Sequence, residues 1–268
     1  MAHIVRMIVR AVPMLVAALM TPLSPALAQR VDTAHEPPRT WRVCITDLSL
    51  PPYLNNDPAR LGVAERMLVD AGRQVGLNVQ LMRYPMRRCG ALVDGDGADA
   101  LLAGSTPGNQ ARFDFPMKAG AVDVGRRLAR INLLWIARGD GGFEWDGHTL
   151  AGKAPDSVLV GTRLGMPAAY EPLQARGFKV DVTSSTITQL MQKVVARRVD
   201  LAVGLQEEVE IALRDPALAP LVMLPRPFLT SDFYAVVHKP LAPEMREIVE
   251  AWWTAIGRLR EQPDYRPR

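Results

Sequence analysis

Apolar positions in this chain fall into short continuous runs separated by polar turns, with stretches of helical periodicity between them. Trp41 to Thr46 predicts a strand that ends in a turn around Pro51 and Pro52. Gly62 to Val75 predicts an amphipathic helix, because Val63, Met67, Ala71 and Val75 recur on one face, and Gly76 terminates it. Val79 to Met82 reads as a second strand and Met86 to Val93 as a short helix. After the turn Asp94 to Asp99 (DGDGAD) comes a wholly apolar strand, Ala100 to Ala103, and then a Ser-Thr-Pro loop. Strands alternating with helices in this way predict a mainly parallel sheet.

A second run repeats the scheme. Val158 to Gly161 is a strand, Ala168 to Arg176 a helix, Lys179 to Val182 a strand, Ile187 to Ala196 a helix, and Val199 to Val203 a buried strand. The segments Ala98 to Leu102 and Val199 to Val203 both enter their strand with an aspartate after a helix and a polar turn. Between the two runs, Arg127 to Arg138 reads as a long strand crossing from one to the other, and Phe233 to His238 as the return. The last helix, Pro243 to Leu259, turns Met245, Ile248, Val249, Trp252, Ile256 and Leu259 towards a core. The expected fold class is therefore α/β: two doubly wound lobes with mainly parallel sheets joined by two hinge crossovers. Lobe 1 is assigned to 40–124 plus 229–268 and lobe 2 to 125–228; a single continuous doubly wound sheet is the alternative. Two crossovers make a hinge suited to closing a cleft about a ligand.

The N-terminus differs from the rest. Arg6 and Arg10 give a positive segment, Ala11 to Met20 an apolar one, and Ala26-Leu27-Ala28 a small-residue cleavage site, so 1–28 reads as a signal peptide and 29–39 as a proline-rich linker. A retained anchor is the alternative. No cysteine follows the cleavage site, which gives no sign of lipid attachment there. Removing the two arginines takes the formal charge from +4 to +2, and the remaining arginine pairs are scattered, so nucleic acid is not an expected partner. Two cysteines remain in an oxidising compartment, Cys44 in the first strand and Cys89 in the short helix packed beside it. A disulfide between them is expected, two buried thiols being the alternative. No CxxC, HExxH, GxSxG or P-loop pattern is present, and the DGDGAD turn lacks the spacing and terminal Glu of a calcium loop; no cofactor or metal is expected.

The segments Thr46 to Tyr53 (TDLSLPPY), the helix from Gly62, Tyr84 to Pro116, Leu190 to Val203 and Trp252 to Tyr265, taken in this order, resemble family-3 solute-binding proteins of the type 2 periplasmic binding protein class over nearly the whole mature length. The Pro85, Arg88, Cys89 combination resembles a subgroup of small periplasmic receptors. The resemblance implies a periplasmic monomer that holds a small molecule between its lobes and delivers it to an ABC permease or presents it to a membrane sensor. Carried over residue by residue, it implies ligand contacts from Asp47, Tyr53, Met86, Ser105, Thr106, Asn109, Gly165, Met166 and Glu207. It also implies departures. Amino-acid receptors clamp the α-carboxylate with an arginine where this chain has Asn109; Arg112 reaches back only if its loop turns helical. The second lobe's Gly-Ser/Thr is Gly165-Met166, followed by Pro167, which lacks an N–H. The amine-binding aspartate falls on Leu205 without a gap or on Glu207 with one inserted residue. Ser184, Ser185 and Thr186 are read as a helix cap. These departures disfavour a standard α-amino acid and leave a neutral, cationic or differently shaped ligand. The rival reading is a dehydratase-like enzyme on the same scaffold, with Glu207 or Glu208 as general acid.

Overall fold

The computed structural model describes residues 38–55 and 57–266; the signal peptide and nearly all of the linker lie outside them. The chain runs β1 (Arg39–Thr46), α1 (Val63–Gln74), β2 (Leu77–Tyr84), α2 (Met86–Asp94), β3 (Ala100–Gly104), α3 (Pro107–Arg112), β4 (Phe113–Asp114), β5 (Met117–Lys118), β6 (Ala121–Val122) and β7 (Ala129–Arg138). It continues through β8 (Leu159–Arg163), α4 (Pro167–Ala175), β9 (Lys179–Ser184), α5 (Ile187–Val195), β10 (Leu201–Leu205), α6 (Gln206–Ala212), β11 (Leu221–His238) and α7 (Arg246–Arg260).

The strands join in the order β2-β1-β3-β11-β7-β10-β8-β9, with β4 against β11. Read inwards from either edge, β2-β1-β3-β11 and β9-β8-β10-β7 have one arrangement: three parallel strands closed by an antiparallel one. The two doubly wound lobes anticipated from the sequence repeat are these two halves. They meet at β7 and β11, which pair antiparallel from Phe233 opposite Ala129 to Leu221 opposite Arg138. The crossovers therefore hydrogen-bond to each other as a ribbon, and the sheets of both lobes are continuous through it. β11 is far longer than Phe233 to His238, because Pro225 and Pro227 hide its first part; the register shifts around Pro227, where a ladder donor is missing.

Alternation along the strands divides the packing. In β1, Trp41, Val43 and Ile45 join the core that includes Met67 and Leu68 of α1 and Trp252, Trp253 and Ile256 of α7. Trp252 Nε1 donates to Leu68 O at 3.2 Å and Trp253 Nε1 to Ala235 O at 2.6 Å, so neither indole is stacked for a ligand. Cys44, on the other face, is bonded to Cys89 of α2 across a Cα separation of 5.4 Å. In the second half, Trp135 of β7 meets the rings of Trp145, Phe178 and Phe228, while Ile136 faces the opposite layer with Leu190 and Met191 of α5. Among the described residues, no helix is long and apolar enough to cross a membrane.

One buried charge sets the loop after β1. Glu65 in the first turn of α1 is 0% exposed and accepts hydrogen bonds from the Gly62 N–H at 2.6 Å, the Asn55 N–H at 3.0 Å and Arg83 Nη2 at 2.6 Å. It closes the helix start, ties it to β2 and fixes where the loop returns from its excursion. Glu65→Ala strips the buried Gly62 N–H, the half-buried Asn55 N–H and Arg83 of their acceptor. It is expected to lower the unfolding free energy by about 3 kcal/mol or more, measured as the urea midpoint. The Cys44–Cys89 bond encloses 45 residues, so removing it with paired serines is expected to cost about 4 kcal/mol in the same assay.

Candidate functional site

Open α/β sheets bind ligands beyond the carboxyl ends of their strands. In this chain four such ends carry loops: Asp47 to Tyr53 after β1, Ser105 and Thr106 after β3, Leu164 to Met166 after β8, and the α6 start at Gln206 after β10. The first two belong to one half of the sheet and the last two to the other.

The β1 loop reaches across. Tyr53 Oη donates to Glu207 Oε1 at 2.7 Å, and Arg163 Nη1 donates to the Ser49 carbonyl at 3.2 Å. Gly165 takes φ +82°, and a Cβ there would stand 3.4 Å from the Leu48 side chain. Glycine serves the left-handed backbone here, with the Leu48 side chain of the opposite lobe in ordinary contact range. Tyr53 is only 8% exposed; its burial, and next its hydrogen bond to the Glu207 carboxylate, push the phenol well above its ordinary range, so it stays a donor at any physiological pH.

Behind this contact lies a buried ion pair. Arg163, at the last position of β8, pairs through Nη1 with Glu208 Oε1, and each residue is 5% exposed. Arg163 Nη2 reaches the Ser185 carbonyl at 3.3 Å. Burial pushes the Glu208 carboxyl upward, with Arg163 opposing it only in part. Glu207 and Glu208 stand in the first turn of α6, where the helix N-terminus favours negative charge. Glu207 Oε2, Glu208 Oε2, Arg163 Nε and Ser184 Oγ are buried without a hydrogen-bond partner among the described residues. Buried polar atoms of this kind are normally satisfied, so these four stand out beside the lobe contact.

The other expected contacts are distributed unevenly. Met166 is buried and caps α4, which begins at Pro167. Met86 opens α2 and packs against the cluster around Cys44 and Cys89. Asp47 is exposed, its N–H bonded to Tyr84 O at 3.2 Å. After β3, Thr106 caps α3 by accepting from the Asn109 N–H at 3.2 Å, Asn109 Nδ2 donates to Gly104 O at 2.9 Å, and Ser105 Oγ accepts from Gln110 Nε2 at 3.0 Å. The loop does become a helical turn, the condition for Arg112 to reach back. Arg112 nevertheless turns the other way, pairing with Asp94 at the end of α2 and lying 4.9 Å over the Phe113 ring. This removes Arg112 from the group that meets across the cleft, because a carboxylate and a ring face hold its guanidinium on the outer surface. Thr186 caps α5 by accepting from the Gln189 N–H at 3.2 Å, as anticipated.

Arg163 was missed by sequence reasoning. Its signal was present: an arginine closing the otherwise uncharged run Leu159 to Arg163 (LVGTR), where a solvated charge is out of place.

Two halves of repeated topology, a ribbon hinge and site loops at the carboxyl strand ends define a periplasmic-binding-protein-like domain of the type 2 arrangement. Solved structures share the fold. The chain is similar to a histidine kinase sensor domain with similarity to periplasmic binding proteins, at TM-score 0.64 and 16% identity over 85% of this chain and 93% of that one. It is also similar to the GluR0 ligand-binding core from Nostoc punctiforme in complex with L-glutamate, at TM-score 0.63 and 14% identity over 84% and 95%. A third similarity is to holo ArgBP from T. maritima, at TM-score 0.59 and 13% identity over 84% and 92%. No protein-family model and no curated protein matches the sequence.

The buried pair yields a stability prediction. Glu208→Ala strips the buried Arg163 guanidinium of its acceptor and is expected to cost about 3 kcal/mol or more in urea unfolding. The double change Arg163→Met with Glu208→Met is expected to recover most of that loss, since apolar replacement of a whole buried pair is often neutral. Because the folded-state pKa of Glu208 is raised, the stability its protonation contributes is complete below the ordinary carboxyl range and is lost as pH rises through the folded value. The wild-type protein should therefore gain relative to the double variant on acidification towards pH 4.5, read from paired unfolding curves.

Proposed function

We propose that this chain is an extracytoplasmic solute receptor that grips a small molecule between its lobes, 40–124 with 229–268 and 125–228, and passes it to an ABC permease or presents it to a membrane sensor. The observation that carries the reading is the meeting of Leu48, Ser49 and Tyr53 from one lobe with Gly165, Arg163 and Glu207 from the other, across a hinge built from β7 and β11. Such a contact is the natural endpoint of a cleft that closes on its guest.

The same residues support a ligand other than a standard α-amino acid. The arginines near the expected carboxylate site are already engaged, Arg112 by Asp94 and Arg163 by Glu208, and Asn109 spends its amide on Gly104. What the cleft offers in surplus is carboxylate oxygen from Glu207 and Glu208, which suits a cationic or neutral, hydrogen-bond-donating ligand. The enzymatic alternative has one observation in its favour, the upward-shifted Glu208 carboxyl in the cleft. The Arg163 partner weighs against it, since an acid held by a guanidinium is a poor proton donor.

Thermal-shift screening of the mature protein against a metabolite panel tests the receptor reading, because a ligand that binds only the folded state raises the melting temperature. Amines and neutral polyols are expected among the positives, and the twenty standard L-amino acids are expected to give no shift. The best positive should bind Tyr53→Phe and Glu207→Gln about tenfold or more weakly by calorimetry, the cost of one charge-assisted hydrogen bond. Micromolar binding of an ordinary L-amino acid would remove the ligand class. Binding unaffected by either substitution would remove the cleft.

A further inference from the structure

A second cavity, of about 380 Å³, lies in the half of the sheet that holds β8 and β9, lined by His148, Thr149, Leu150, Lys153, Pro155, Arg176 and Phe178. Pro155 precedes the start of β8, and Phe178 precedes the start of β9. The cavity is thus at the amino ends of strands whose carboxyl ends carry Arg163 and Ser184. Four residue steps along β8 put the two ends roughly 13 Å apart. This is not the inter-lobe cleft.

Its lining combines free cations with an aromatic base. The Arg176 guanidinium lies 4.7 Å from the centre of the Phe228 ring and 5.6 Å from that of Trp145. Lys153 Nζ lies 5.7 Å from the Phe143 ring centre. Neither cation is paired with a carboxylate among the described residues, and the lining contains no Asp or Glu. The rings anchor the cations without consuming their N–H groups. Leu150 and Phe178 are buried and give the cavity an apolar floor. The turn carrying His148 and Thr149 is held by Asp146, whose carboxylate accepts from the Thr149 N–H at 2.7 Å, the His148 N–H at 2.6 Å and Thr149 Oγ1 at 2.9 Å. Those hydrogen bonds pull the Asp146 carboxyl down to about 2, so the turn keeps its shape at any ordinary pH. Asp146 is thereby turned to its own backbone and does not neutralise Lys153 or Arg176.

We propose that this cavity is a second binding site, for a small organic anion: a carboxylate on a flat apolar body. The anionic head meets Arg176 and Lys153, and the apolar body rests on Leu150, Pro155 and Phe178. The volume is that of a small-molecule site, and a few polar groups over an apolar floor are the usual make-up of one. A bare inorganic anion would leave the floor unused, and a neutral aromatic would leave two cations unanswered. The proposal is independent of what the inter-lobe cleft binds.

The test is a titration of the isotope-labelled chain with phenylacetate, followed by amide chemical shifts. Saturable shifts are expected at His148, Thr149, Lys153 and Phe178, weaker at high salt because the charges are exposed. Lys153→Gln and Arg176→Gln are each expected to weaken binding about tenfold, whereas Tyr53→Phe leaves it unchanged. Benzyl alcohol, benzylamine and inorganic phosphate should bind at least about tenfold more weakly than phenylacetate. Absence of saturable shifts at these residues overturns the proposal. So does equal binding of benzyl alcohol, equal binding of phosphate, or indifference to both substitutions.

Discussion

The pairing of β7 with β11 is the constraint on which the rest of the structure depends. Each strand closes one half of the sheet as its antiparallel member, β7 beside β10 and β11 beside β3, and each then pairs with the other. Every parallel strand of a lobe is therefore positioned relative to this ribbon. Trp135, fully buried in β7, is the packing counterpart: three aromatic rings close on it within 5.5 Å, fixing the ribbon against the second lobe. Bending of one lobe relative to the other has to pass through residues such as Asn132, which receives Thr230 Oγ1 across the ribbon and reaches Gln206 at the start of α6. The hinge and the site are joined there by a pair of side-chain hydrogen bonds.

The charge balance at the lobe contact follows from its pairings. A cleft with a free arginine attracts carboxylates; a cleft whose arginine is matched by a glutamate does not, because desolvating a ligand's charge is repaid only by an unpaired opposite charge. Arg163 is matched by Glu208, and next to that pair Glu207 adds a carboxylate whose direct partner is a neutral phenol. The balance in the cleft is tilted towards negative charge. At the amino ends of the same strands the tilt is opposite, with Lys153 and Arg176 laid over aromatic rings. Two ends of one small sheet thus carry opposite chemistry.

Much of this was legible in the sequence, and the failures have physical causes. The alternation of strand and helix, the repeat and the hinge strands follow from period and turn residues, and the strand Ala100 to Gly104 hardly admits another reading. The first part of β11 was not legible, because two prolines in a strand read as a break until β11 itself is seen to bulge around them against β7. The Cys44–Cys89 bond could be anticipated from compartment and neighbourhood. Glu65 was not legible and Arg163 left only the faint sign of a charge closing an apolar run: burial of a charge is invisible to periodicity, and its partner, Arg83 in the next strand for Glu65 and Glu208 in another element for Arg163, reveals that it is inside.

Arg112 and Arg163 show why motif position alone misplaces a site. Arg112 lies three residues past Asn109, where an inherited pattern looks for a clamp, on a turn that does become helical, yet its pairing with Asp94 holds it outside. Arg163 sits where no pattern looks for one, at the end of an apolar strand whose partner in the register is Ser184, and its position at a carboxyl strand end brings it to the cleft. An arginine goes where its counter-ion is, and the counter-ion is set by the fold before any ligand arrives. A carboxylate placed beside an arginine, as Glu208 stands beside Arg163, makes the guanidinium half of a buried structural pair, while the neighbouring Glu207 carboxylate is met by the Tyr53 phenol instead.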